Sequence, residues 1–275
     1  MTAARPAPRR KGARRMAEIP PAVLAALNAG REETITLVEW LAIDVRKLAR
    51  ALAADTGLDP AALGRDADAL AALGIAARGK GMGAALRKHL DAHKQREAVE
   101  ARLAEHPSDT VRAWACYAAV AESKLPLPRR LARAKPFAAD RSMAVRETAW
   151  DALRPHLAAD LPRAFALLER WVRDEDFRVR RCAVEATRPR GVWCAHLDTL
   201  KRDPEPGLAL LEPLRADPHR YVQTSVANWI NDASKDRADW VRALAKRWLR
   251  ESPRDETRWI VNHATRTLRK KAAAG

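Results

Sequence analysis

Three stretches of the sequence set charged and aromatic side chains at spacings that a helix would bring together. In FRVRRCAVEATRPRGVW (177–193), Arg181, Glu185 and Arg188 fall at i, i+4 and i+7, which puts one carboxylate between two guanidinium groups on a single face. Such a set is either a surface ion-pair ladder, worth only ~0.3–0.5 kcal/mol per pair, or a carboxylate held where positive charge develops. In SVANWINDASKD (225–236), Asn228, Asp232, Lys235 and Asp236 share a face, while Val226, Trp229, Ile230 and Ala233 form an apolar stripe. In VRETAWDALRPH (145–156), Trp150 falls beside the polar Glu147, Asp151 and Arg154. It is either packed between helices or a platform on which a base can stack. His263, in WIVNHATRTLRK (259–270), is a candidate phosphate or base contact, or else a helix-surface histidine. Familiar catalytic signatures are missing: there is no HExxH, no GxSxG and no recognisable Cys–His arrangement. The loop RGKGMG (78–83) has the glycine content of a phosphate loop without its GxxxxGK[ST] spacing.

The elements that must carry these residues are helices. Ala, Leu, Arg and Glu dominate, aromatics are 5%, and no segment sustains the period-2 alternation of a strand, so the expected class is all-α. Pro and Gly punctuate the helical stretches at 20–30, which closes on Gly30, at 33–55, and at 59–74, where Asp59 before Pro60 reads as an N-cap. An apolar residue followed by others four and eight positions on recurs in five windows. They begin at Val111, Val145, Val179, Val222 and Ile260, and three of them open with Val-Arg. In the last four an aspartate (Asp140, Asp174, Asp217, Asp255) stands five residues ahead, where a helix cap would sit. This pattern predicts HEAT-like helix pairs stacked as a curved solenoid, with the second helix of each pair, which bears the chemistry, lining the concave side.

Charge indicates what such a cradle would hold. The formal net charge is +16, and +10 remains without the six basic residues of the first fifteen, so the folded body itself favours a polyanion, nucleic acid before membrane. No apolar run approaches the ~18 residues of a membrane span. Residues 1–17 read as a disordered basic tail and 18–275 as a single repeat domain. Pro20-Pro21 after Glu18 argue against a secretory signal, and an Arg-rich presequence stays open. Three cysteines without metal-ligand spacing fit neither a disulfide framework nor a zinc site, and suit a reducing cytoplasm.

The segments 26–49, 179–193, 217–236 and 256–270, with their ExTRPRxxW and SVANxxND stretches, resemble the DNA alkylation repair glycosylases of the AlkC/AlkD group, and the AlkC branch most. The resemblance implies HEAT-like repeats clamped on duplex DNA and hydrolysis of the N-glycosidic bond of cationic N-alkylated bases, of the N3-methyladenine or N7-alkylguanine type, without metal or organic cofactor. It implies work from the sugar side on a lesion that stays stacked. By position it assigns Glu185 and Asp232 as the catalytic carboxylates facing the lesion nucleotide and Trp193 as the tryptophan beside the DNA. Arg188 and Arg190, with Lys235 and Arg266, become phosphate contacts, and Trp150, Arg181, Asn228 and His263 complete the expected DNA-binding set. The sequence departs from the AlkC pattern at Trp150, where an acidic residue is expected, and the Trp150-Asp151 pair is similar to the AlkD branch. A counterpart of the immunoglobulin-like C-terminal domain of larger AlkC forms is not expected. The partner would be duplex DNA bearing alkylated bases, met by a monomer, cytoplasmic and nucleoid-associated when bound; the alternative is a HEAT-like DNA-binding protein without excision.

Overall fold

The computed structural model describes residues 10–191 and 194–274, apart from the side chains of Lys271 and Ala274. All regular structure among them is helical. The chain divides into two compact units, Met1–Ala118 and Ala119–Gly275.

The first unit opens with α1 (Pro21–Asn28), α2 (Leu37–Ala42), α3 (Val45–Thr56) and α4 (Pro60–Leu70). Gly30 ends the first of these stretches with φ +71°, a conformation that glycine adopts without strain. The 33–55 stretch breaks at Ile43 because the Asp44 carboxylate caps a new helix, accepting from the Arg46 and Lys47 amides. Asp59 caps α4 as expected. The RGKGMG segment is no loop: it lies inside α5 (Ile75–Asp91). Its glycines serve close packing, since a Cβ on Gly83 would lie 2.2 Å from Tyr117 Cβ and one on Gly81 2.5 Å from Leu70 Cδ2. After α6 (Arg96–Ala104) comes α7 (Asp109–Ala121).

The tail expected to be free through residue 17 is held from Arg10 onward. Glu39 is fully buried, and it accepts from the Ala13 and Ile35 amides and pairs with Arg10. Burial would push this carboxyl up, but Arg10 and the two amides hold it below its ordinary value. Residues 1–9 lie outside the described residues.

The second unit holds α8 (Leu127–Ala138), α9 (Met143–Ala158), α10 (Leu161–Leu168), α11 (Phe177–Ala186), α12 (Asp198–Arg202), α13 (Leu208–Leu211), α14 (Arg220–Ala233), α15 (Ala238–Glu251), α16 (Asp255–Ala264) and α17 (Arg266–Ala274). The second helices of the repeats, α9, α11, α14 and α16, pack side by side in that order. The repeat positions Val145-Ala149-Leu153, Val179-Ala183-Thr187, Val222-Val226-Ile230 and Ile260-Ala264-Leu268 are all buried.

The Val-Arg signature proves to be a latch. Each arginine reaches back over its own helix start to the carbonyls six and five residues earlier: Arg112 to His106 and Pro107, Arg146 to Asp140 and Arg141, Arg180 to Asp174 and Glu175. Gln223 does the same to Asp217 at 2.7 Å. The aspartates five residues ahead are not helix caps. Asp140, Asp174 and Asp217 accept from the amide two residues on, closing a turn that presents those carbonyls to the latch, and Asp255 is the first residue of α16. Among the described residues no helix is long and apolar enough to cross a membrane.

Candidate functional site

Three adjacent second helices bring the predicted residues together. From α9 come Glu147 and Trp150, from α11 Arg181 and Glu185, and from α14 Ser225, Asn228 and Asp232. Arg188 and Arg190 lie past the end of α11, which stops at Ala186 because Pro189 cannot extend it. The step from Val179 to Val222 is 43 residues against 34 in the two steps before it, and the RPRG segment is part of that insertion.

These side chains form a chain of alternating charge across the three helices. Glu147 Oε1 lies 2.6 Å from Arg181 Nη1, an ion-pair contact not aligned as a hydrogen bond. Arg181 Nη2 lies 3.6 Å from Glu185 Oε1, which also accepts from Ser225 Oγ at 2.6 Å. Arg188 donates through Nη1 to Glu185 Oε2 at 3.1 Å and through Nε to Asp232 Oδ2 at 2.9 Å, and Lys235 Nζ closes the series on Asp232 Oδ1 at 3.2 Å. Glu185 and Asp232 are buried at 5% and 4% exposure, so this is not the surface ladder that i, i+4 spacing alone would suggest. Burial opposes the charge on Arg181, but Glu185 and Glu147 outweigh it and hold the guanidinium above its ordinary value, over the face of Tyr221 at 4.6 Å.

Beside this chain lies a cleft of about 150 Å³ whose lining includes Glu147, Trp150, Arg181, Glu185, Tyr221 and Asn228. Trp150 is buried, and its Nε1 donates to Glu147 Oε2 at 2.9 Å, so its edge rather than an open stacking face is what the structure uses. Arg190 pairs bidentately with Asp236 at 2.8 and 3.1 Å. Arg266 donates to Asn228 Oδ1 at 2.9 Å and to the His263 carbonyl, while the His263 ring stacks on Trp259. Burial and the cations Arg266, Arg220 and Arg269 hold the His263 imidazole below its ordinary value. Trp193 lies outside the described residues.

The structure also points to residues that spacing did not single out. Glu147 was visible only as a polar neighbour of Trp150. Arg154 is buried and donates to the carbonyls of Ala186, Arg188 and Ala195, which ties down the segment that carries Arg188 and Arg190. Asn231 binds α14 to the Ala264 carbonyl and the Thr267 hydroxyl. Spacing gave Arg154 and Asn231 no role of this kind, because each of these partners is 32 or more residues away. Among the described residues no cluster of three or more His, Cys, Asp or Glu could hold a metal.

The sequence profile described as DNA alkylation repair enzyme matches residues 130–268, half of the chain and nearly all of the second unit. The chain belongs to that family. Among solved structures, this member of the DNA alkylation repair family is similar to the Pseudomonas fluorescens alkylpurine DNA glycosylase AlkC bound to DNA containing an abasic site analog. The two are 30% identical with a TM-score of 0.69, over 82% of this chain and 62% of that one. Smu.31 from Streptococcus mutans, 20% identical with a TM-score of 0.53 over 68% of this chain and 98% of that one, shares the fold. An uncharacterized Bacillus subtilis protein, YhaZ, is 44% identical over 59 residues, 22% of this chain and 16% of its own. The chain thus spans under two thirds of the length of AlkC and a small part of YhaZ. The all-helical, HEAT-like class expected from the repeat pattern is the class observed.

Proposed function

We propose that this protein is a DNA glycosylase that hydrolyses the N-glycosidic bond of cationic N-alkylated bases in duplex DNA. The observation that carries the reading is a cleft bearing carboxylates in a protein of formal net charge +16. A carboxylate near DNA phosphates is unfavourable in the bound ground state, so its presence wants a compensating role. A cation formed during reaction supplies one. N3-alkylated adenine and N7-alkylated guanine carry a positive charge that weakens the glycosidic bond, and their departure leaves an oxocarbenium-like sugar. Because the leaving base is already activated, no strong general acid is required. The reading needs no metal or organic cofactor.

Glu185 lines the cleft and would favour the sugar cation through its field, its own oxygens being held by Ser225, Arg181 and Arg188. Asp232 does not line it; held behind Arg188, it would act as a positioning residue, orienting the Arg188 guanidinium. Arg188, Arg190, Lys235 and Arg266 would meet phosphates, Arg190 by exchanging Asp236 for a phosphate of the same bidentate geometry. The protein would act as a monomer on alkylated duplex DNA, in a reducing cytoplasm and on the nucleoid. The competing reading, a DNA binder without excision, draws on the same ladder: every oxygen of Glu185 and Asp232 already has a cationic or hydroxyl partner. Incubation with methylated duplex DNA decides between them. Release of N3-methyladenine or N7-methylguanine is expected, with uracil and 8-oxoguanine retained. Binding without release would establish the second reading.

A further inference from the structure

Two carboxylates line the cleft, and they differ in what they can still accept. Glu185 is spent on its own fold: Oε1 takes Ser225 Oγ and faces Arg181, and Oε2 takes Arg188. Glu147 is held but not saturated. Each of its oxygens meets one protein donor, Arg181 at 2.6 Å and Trp150 Nε1 at 2.9 Å, while a carboxylate offers about four lone-pair sites. Its side chain is 28% exposed against 5% for Glu185.

Charge counting along the ladder gives Glu147 a second distinction. The inner members, Arg181, Glu185 and Asp232, which are buried, and Arg188, which is nearly so, are two cations and two carboxylates, and neutralise one another. Lys235 at one end is exposed to water, and Glu147 at the other opens on the cleft. Glu147 therefore carries negative charge that the inner set does not need for its own balance. Trp150 fixes where that charge points. A buried indole N–H requires an acceptor, which is the Thr187 carbonyl for Trp229 and the Glu212 carboxylate for Trp248. Here the acceptor is a partly exposed carboxylate, so a side chain of otherwise high rotamer entropy is set in place before any ligand arrives.

We propose that Glu147, oriented by the Trp150 N–H and by Arg181, is the group that contacts the positive charge of the substrate in the cleft. The cation is a delocalised organic one, at the alkylated base or at the sugar. Trp150 is a positioning residue. The assignment rests on the glycosylase reading for the identity of the substrate, and its test does not depend on turnover.

Two duplexes differing at a single site serve as probes: one carries a tetrahydrofuran abasic residue, which is neutral, and the other a pyrrolidine abasic residue, which is protonated and mimics a sugar cation. The wild-type protein is expected to bind the pyrrolidine duplex about 10-fold or more tighter, the scale of one charge contact. Glu147→Gln should abolish this preference while leaving affinity for the tetrahydrofuran duplex within about twofold, because the inner quartet stays neutral. Trp150→Phe, which keeps the packed ring but lacks the N–H, should reduce the preference without removing it. Thermal melting of both variants verifies that they fold. No preference in the wild type, or a preference that survives Glu147→Gln, overturns the assignment. A preference lost in Glu147→Gln in a protein that releases no methylated base would uphold the contact and refute the glycosylase reading instead.

Discussion

Arg188 is gripped from two sides, by Glu185 through Nη1 and by Asp232 through Nε and Nη2, and all three are largely withdrawn from water. Removing one carboxylate leaves a cation under-compensated in a poorly solvated place. Breaking such a pair from one side costs about 3 kcal/mol or more, so stability and catalysis must be read together in these variants. Asp232→Asn should lower the melting temperature and leave affinity for undamaged duplex DNA equal or slightly better. It should also slow excision, by up to roughly 10²-fold, the scale of one electrostatic contact to a transition state, because the Arg188 guanidinium it orients is released. Single-turnover release of methylated bases, measured beside thermal melts and binding, checks this. A lowered melting temperature with an unchanged rate would confine Asp232 to the scaffold.

Two elements do local work that the whole site depends on. The segment after α11 has no regular structure of its own at Arg188–Gly191, and Arg154 of α9 supplies its order through three carbonyls. Arg154→Met retains much of the packed stem but orphans those acceptors, a loss of at least about 2 kcal/mol. Tryptic cleavage after Arg190, the bond in this segment not blocked by a following proline, should become faster than in the wild type, and excision slower, without any change at the carboxylates.

The repeat latch offers a second elemental test. At the position where later repeats carry aspartate, the first has His106, whose Nδ1 accepts from the Ser108 amide and so must be unprotonated. Burial, with the cations Arg112 and Arg102 and against the pull of Asp55, holds this imidazole below its ordinary value. A depressed folded value means that the folded state binds fewer protons. The contribution is therefore complete above the ordinary histidine range near ~6.5 and is lost as pH falls through the lowered value. The melting temperature should drop between pH 7 and pH 5, and should drop less in His106→Asn, whose Oδ1 accepts the same amide without titrating.

For the molecule as a whole, the excess of positive charge belongs to the chain after residue 9 far more than to residues 1–9. Deleting residues 1–9 removes two arginines, Arg5 and Arg9, and should leave DNA binding steeply salt-dependent, with the slope of log K against log salt shallower by at most about two units. A deletion to residue 17 is a different experiment: it strips Arg10 and the Ala13 amide from the buried Glu39 and should destabilise the first unit. Comparing both truncations by salt titration and by melting separates the two effects. A slope near zero in the shorter deletion would refute phosphate contact by the body.

Some of this could be read without coordinates because it depends on near neighbours in the chain. The four-and-eight apolar spacing, the Asp59 cap, the Gly30 stop and the Arg181-Glu185 pair are all set within a turn or two of helix, where backbone geometry makes sequence distance and spatial distance equivalent. The Val-Arg signature was equally visible, although its meaning as a carbonyl latch was not. What only the tertiary structure decided is how residues from different repeats meet. Glu147 faces Arg181 across 34 positions, Arg188 meets Asp232 across 44, and Glu39 reaches Arg10 across 29. The same holds for RGKGMG, whose glycines signal a turn to a local reading but lie in a helix because Tyr117 and Leu70 press against them. Burial converts the ladder from a solvated face into a charge-balanced core with one carboxylate left at its edge. That conversion depends on the side-by-side packing of α9, α11 and α14, which no local window contains.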